Sequence, residues 1–164
     1  MEDVAIRPFT AADADWVIAR HGALYAQEAG FDDRFGALVG EVVADFLGTH
    51  DPACERGWIA ERGAVRLGCI FCVRLDGETA KLRLFLVEPE ARGTGLGRRL
   101  LERCLGFAEE CGYRRLRLWT HESHRAACAL YKARGFICES SVPVRSFGQD
   151  LIEQSWSIGL DGGP

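Results

Sequence analysis

From Arg92 to Arg99 the chain reads Arg-Gly-Thr-Gly-Leu-Gly-Arg-Arg, three glycines in five residues with cations at both ends. A helix is expected to open near Gly95, because Leu96, Leu100, Cys104 and Ala108 recur at four-residue spacing with Leu101, Leu105 and Cys111 beside them, the pattern of one buried helical face. Gly112 is the expected stop. The first turn of a helix leaves N–H groups unpaired and carries a partial positive charge, so it suits an anion. Arg92, Arg98 and Arg99 stand at the end where the dipole disfavours cations, at a cost of about 0.3–1 kcal/mol each when exposed. A bound anion reverses that sign. The stretch therefore reads as a phosphate or pyrophosphate cradle, the alternative being a glycine-rich turn with solvated arginines at its rim. Two better-known phosphate loops do not fit. A Walker loop requires Gly-Lys-Ser/Thr where Gly97 is followed by Arg98-Arg99, and a dinucleotide fingerprint counted from Gly95 requires glycine where Leu100 stands.

The elements that must hold this stretch are legible around it. An apolar strand, Leu82 to Val87, leads in and breaks at Glu88-Pro89. Upstream, Val4–Arg7 is a short strand ended by Pro8. Thr10 with Asp13 forms a capping box for a helix that stops near Gly30, and a second helix is expected over 34–47, ended by Gly48 and Pro52. From Trp58 the period becomes extended: 58–61, 66–75 and 80–87 read as three antiparallel strands joined at Arg62-Gly63 and Asp76-Gly77. Leu116–Trp119 is a fifth strand, reached by a helical crossover and so parallel to the fourth. A helix over 124–134, capped by Ser123 or Thr120 and ended by Gly135, precedes strands over 136–142 and 151–158. This order predicts an α+β protein, a mixed, mostly antiparallel seven-stranded sheet with helices on both faces.

With 164 residues, 48% of them hydrophobic, the chain suits one domain spanning 1–164. A net charge of −4 argues against a general nucleic-acid binder. No apolar run approaches a membrane span, and Met1-Glu2-Asp3 lacks the basic start of a signal peptide, so a cytoplasmic location is expected. Most of the seven cysteines fall inside apolar patterns. Cys69 and Cys72 lie three apart on a strand, an offset that sends them to opposite faces, so core packing is expected rather than a metal or redox pair.

Arg92, Gly95 and Gly97 match the acetyl-coenzyme A signature Arg/Gln-x-x-Gly-x-Gly/Ala, and Val87-Glu88-Pro89, Leu130-Tyr131 and Gly135-Phe136 fall at matching positions. Through these residues the chain resembles the GNAT superfamily of N-acetyltransferases over nearly its whole length. The resemblance implies that strands four and five splay apart to admit the pantetheine arm. It implies that backbone groups of Phe85, Leu86 and Val87 meet the arm and thioester, and that Arg92, Gly93, Thr94, Gly95, Leu96, Gly97 and Arg98 hold the diphosphate. His124 stands where asparagine often contacts the cofactor.

Acetyl transfer to an amine needs a neutral nucleophile, an oxyanion site and a donor for the departing thiolate. An alkylamine of pKa about 10.4 is only about one part in 2,500 neutral at pH 7, a penalty of about 4.6 kcal/mol. The resemblance makes Tyr131 the acid beside the cofactor sulfur. Lys81 occupies a position where some members carry a basic glutamate, which leaves Glu88, Glu122, Glu28 and His21 as candidates for the base. Residues 1–62 carry net charge −7 and the remainder +3, a balance that would suit a cationic amine at the first two helices. His21, Tyr25 and Glu28 share one helix face and are the expected acceptor contacts, along with Glu88 and Glu122.

The leading expectation is an acetyl-CoA-dependent N-acetyltransferase that moves the acetyl group to an amine of a small molecule or peptide by direct attack on the thioester. No metal, nucleic-acid or membrane partner is expected, and a homodimer is left open. The alternative is a catalytically silent acyl-CoA sensor or regulatory module; the run Ser146–Leu151 also resembles GNAT domains fused behind winged-helix regulators.

Overall fold

The computed structural model describes residues 3–160; Met1 and Glu2, on which the expectation about the chain start rests, lie outside the described residues. In chain order the elements are β1 (Ala5–Pro8), a 3-10 turn (Ala11–Asp13), α1 (Ala14–Ala29), α2 (Asp33–Thr49), β2 (Arg56–Arg62), β3 (Val65–Arg74) and β4 (Thr79–Val87). A second 3-10 turn (Pro89–Ala91) follows, then α3 (Leu96–Glu110), β5 (Arg115–His121), α4 (Arg125–Arg134), β6 (Ile137–Ser146) and β7 (Gln149–Gly159). The seven strands hydrogen-bond in the order β1-β2-β3-β4-β5-β7-β6. Pairs β1–β2, β2–β3, β3–β4 and β6–β7 are antiparallel, and β4–β5 is parallel. This is the mixed α+β sheet that the order of elements predicts. Among the described residues no helix is long and apolar enough to cross a membrane.

Two compact units divide the chain. One takes in the chain up to Phe9, Asp51–Arg117 and the stretch from Ile158 on; the other takes in Thr10–His50 and Leu118–Ser157.

In the first unit, α3 buries the face read from its spacing. Leu96, Leu100, Leu101, Cys104, Leu105 and Ala108 are all at most 2% exposed, and α3 packs on β3 and β4. Each fully buried leucine contributes about 1.5–3 kcal/mol. Contact this close needs glycine at one point: a Cβ on Gly68 would stand 2.8 Å from the Leu86 carbonyl and 3.1 Å from Leu100 Cδ1. The parallel ladder of β4 and β5 consists of three pairs, Thr79↔Arg115, Ala80↔Leu116 and Lys81↔Arg117, and stops there although both strands run on.

In the second unit the Thr10–Asp13 capping box is present, with the Thr10 N–H donating to Asp13 Oδ2 at 2.8 Å. Gly30, left-handed at φ 71°, ends α1. Several boundaries differ from expectation. Helix α2 starts at Asp33, because Asp32 caps it by accepting the Arg34 N–H at 3.1 Å, and it runs through Gly48 to Thr49; an exposed terminal glycine costs only about 1 kcal/mol, too little to stop a packed helix. Helix α4 is preceded by His124 rather than by a Ser123 or Thr120 cap, with no side-chain cap bond; Thr120 Oγ1 lies instead 3.3 Å from His124 Nδ1. Strand β6 continues past Pro143 to Ser146, which an edge strand tolerates because the missing N–H leaves no ladder bond broken on its open side.

Candidate functional site

In the first unit, the chain leaving β4 is bulged and then looped. Leu84 stands at φ +54°, with the β3–β4 register slipping between Cys69 and Phe71, and the Cys69 thiol donates to the Leu84 carbonyl at 3.1 Å. A bulky residue in this region is a backbone outlier that packing must hold. No glycine announces this bulge in the sequence, so it was not anticipated. Phe85, Leu86 and Val87 follow directly; Leu86 pairs with Cys69 and Val87 with Gly68. Glu88 is 7% exposed, and its N–H donates to the Leu67 carbonyl at 2.8 Å.

The loop itself is held from inside. Thr94 Oγ1 donates to the Ala91 carbonyl at 2.5 Å, and Arg92 Nε to the Val87 carbonyl at 3.3 Å. Gly93 and Gly95 have φ +76° and +86°, and a Cβ on either would meet nothing within 4 Å. Glycine is therefore needed here for backbone conformation and for open space in front of it. Gly95 is the N-cap of α3, with no side-chain cap bond and no acidic residue in the first turn. The leading N–H groups of a 15-residue helix thus lack the partners that side chains usually supply. Leu96 is buried, while Thr94 and Arg98 are exposed and Gly97 is half-buried. Arg99 is committed elsewhere: its Nη2 donates to the Val4 carbonyl at 2.9 Å. Of the three arginines at the helix start, Arg99 thus reaches back to the residue before β1, while Arg92 and Arg98 flank the glycines.

In the second unit, Tyr131 is 3% exposed. Phe136 N–H donates to the Tyr131 carbonyl at 3.0 Å and Gly135 N–H to the Lys132 carbonyl at 3.1 Å, with Gly135 at φ 106°. This is a Schellman cap, and the ring contact between Tyr131 and Phe136, 5.4 Å between centroids, is its usual hydrophobic partner. The spacing Tyr131…Gly135-Phe136 thus has a structural cause of its own, independent of chemistry.

Of the expected acceptor contacts, His21 is 2% exposed, with Nδ1 2.8 Å from the Val17 carbonyl on its own helix. Glu28 and Glu122 are exposed. Tyr25 is half-buried and belongs to a ring cluster that the sequence did not reveal. It stacks on Phe35 at 4.4 Å and meets Phe31 at 5.5 Å and His124 edge-on at 4.9 Å. Phe31 in turn meets His121 at 5.6 Å and Phe147 at 5.1 Å. Four separate segments supply these rings, so no local pattern could have signalled them. Burial, the adjacent His121 and, in opposition, the carboxylate of Glu28 set His124, whose pKa is pushed down to about 4. Burial also lowers that of His121. Both imidazoles are therefore neutral at pH 7.

The seven cysteines are free thiols. Cys104, in hydrogen-bonding contact with Cys72 and fully enclosed, has its pKa raised by that bond first and by burial second. Among the described residues no group of three or more His, Cys, Asp or Glu side chains could hold a metal ion.

The sheet is mostly antiparallel with one short parallel ladder, β4 is bulged, and an uncapped helix opens on left-handed glycines. Residues 13–136 match the acetyltransferase (GNAT) family, and the chain belongs to that family of enzymes. It is 34% identical over 95 residues to an IAA acetyltransferase of Azospirillum brasilense, a match over 57% of this chain and 61% of that protein. It is also 32% identical over 59 residues to an uncharacterized N-acetyltransferase of Methanocaldococcus jannaschii, over 36% and 26% of the two chains. The matches thus span less than two thirds of these relatives' own lengths. Among solved structures, yncA from Salmonella typhimurium, determined with its cofactor acetyl-CoA, superimposes with a TM-score of 0.77 at 21% identity, covering 97% of this chain and 95% of that one. An acetyltransferase from Streptococcus agalactiae gives 0.79 at 22% identity over 98% and 100%. At such identities these structures establish the fold.

Proposed function

We propose that the protein is an acetyl-CoA-dependent N-acetyltransferase acting on an amine of a small molecule or peptide. The observation that carries this reading is the start of α3, where two glycines at positive φ open the backbone and neither a cap nor an acid occupies the first turn. The diphosphate of the cofactor would accept from those N–H groups and from Arg92 and Arg98, and its charge would offset the helix dipole. Phe85, Leu86 and Val87 would meet the pantetheine arm along the part of β4 beyond its three-pair ladder with β5, and the neutral His124 would add a further contact to the cofactor.

In the transfer step the amine lone pair attacks the thioester carbonyl carbon. The new C–N bond forms, the C–S bond breaks with its electrons going to sulfur, and the amine gives up one proton. Tyr131 is the donor to the departing thiolate. Its ordinary pKa of about 10 lies above the thiol's of about 8.5, so full transfer is uphill by roughly 2 kcal/mol and hydrogen-bonded assistance is enough. Of the carboxylates, Glu28 and Glu122 are exposed and would take the amine proton through solvent.

Thiol release from acetyl-CoA over a panel of amines tests the reading. Turnover is expected, with Tyr131→Phe lowering kcat about 100-fold while the calorimetric Kd for CoA is unchanged. Tight CoA binding with no turnover on any amine would point instead to an acyl-CoA sensor.

A further inference from the structure

The ring cluster of the second unit contains one ring that local chemistry does not explain. Phe147 and Gly148 form the two-residue turn between β6 and β7, both with positive φ, +54° and +80°. Such a turn favours Asn-Gly, because asparagine tolerates the left-handed region and a bulky aromatic does not. Phenylalanine is there nonetheless, and it is tied down. The Asp32 N–H donates to the Phe147 carbonyl at 3.0 Å, and Gln149 Nε2 donates to the Gly30 carbonyl at 3.0 Å, so the turn is fastened to the loop joining α1 and α2. The Phe147 ring meets Phe31 at 5.1 Å and Phe35 at 5.1 Å.

These rings are not equivalent. Phe31 is closed off at 4% exposure, as a core ring is, whereas Tyr25, Phe35 and Phe147 are all half-buried. Beside them His121 Nδ1 is buried and has no hydrogen-bond partner, a vacancy that buried polar atoms seldom show. The charges that face the imidazoles are acidic: Glu28 acts on His124 and Glu153 on His121. We infer that the half-buried faces of Tyr25, Phe35 and Phe147 receive the aryl group of the acceptor, an arylalkylamine, with its ammonium turned towards Glu28. A ring laid on such faces gains about 0.5–1.5 kcal/mol beyond its buried area, and a strained aromatic at a turn is a reasonable device when the ring itself is needed. The inference rests on the acetyltransferase reading and narrows its acceptor from amines at large to aryl-bearing ones.

The test compares 2-phenylethylamine with n-butylamine, two primary amines that differ in the ring, by saturation-transfer NMR and titration with acetyl-CoA absent and present. Tighter binding of 2-phenylethylamine by 10-fold or more is expected. Phe147→Asn suits the turn, so its melting temperature should equal or exceed the wild type's, while its affinity for 2-phenylethylamine falls about 10-fold and that for acetyl-CoA stays unchanged. Phe35→Ala should act in the same direction. Equal affinity for the two amines, binding of neither, or an unaltered Phe147→Asn overturns the inference. Loss of the acetyltransferase reading is recognised separately, by absence of CoA binding or of turnover while the preference between the two amines persists.

Discussion

The α3 loop and the ring cluster present opposite kinds of surface. The loop offers backbone amides from one continuous stretch, Arg92 to Arg98, and needs side chains chiefly to stay out of the way; hence glycine at 93 and 95. The cluster offers side-chain faces from α1, the α1–α2 loop and α2, the β5–α4 turn and the β6–β7 turn, and uses the backbone only to hold them. If the loop binds the diphosphate and the cluster the acceptor, as proposed, a group shared by every reaction is held by a local motif, while selectivity for a particular acceptor is assembled from distant parts of the chain.

Each region can be broken separately. The largest effect is expected at the loop: Gly95→Val forces a β-branched residue to φ +86° and places a side chain where the diphosphate would lie, so calorimetry should show CoA affinity reduced at least 100-fold. If the helix start serves only as a turn, that affinity will not move. In the ring cluster the corresponding break is proton uptake. His124, with a folded pKa of about 4, is protonated more readily in the unfolded chain, where its pKa is about 6.5, so its contribution is complete above pH 6.5 and is lost as pH falls towards 4. Denaturant unfolding should show stability falling by up to about 3 kcal/mol over that window, from 1.36 kcal/mol per pKa unit. His121, lowered in the same direction, adds to the slope, and His124→Asn should flatten the profile. The smallest effect sharpens the loop itself. Arg98→Gln is expected to weaken CoA binding about threefold, as an exposed charge pair does, whereas Arg99→Gln should leave it unchanged because that guanidinium is engaged by Val4. Equal losses would place both arginines at the diphosphate.

Much of the frame could be read along the chain. The four-residue spacing from Leu96 to Ala108 became the buried face of α3, and the Thr10–Asp13 box and Gly30 bounded the first helical segment, because capping and amphipathicity act within one turn. The glycine loop was legible for the same reason. The Tyr131…Gly135-Phe136 spacing was legible too, although its cause proves to be a helix cap whatever the hydroxyl does. Asp32 as a helix cap and Phe147 at a tight turn were missed, the first because several residues nearby could cap, the second because phenylalanine contradicts the local preference.

Sequence alone determined the class of sheet, the family and the glycine opening of α3, since each is read from the order of elements or from patterns a few residues long. Tertiary structure decided that Leu84 is bulged, that Arg99 is tied to Val4, that His121 and His124 are neutral, and that rings from four segments share one cluster. Those outcomes depend on burial and on neighbours remote in the chain, and the free energy of such contacts exists only once the chain has folded.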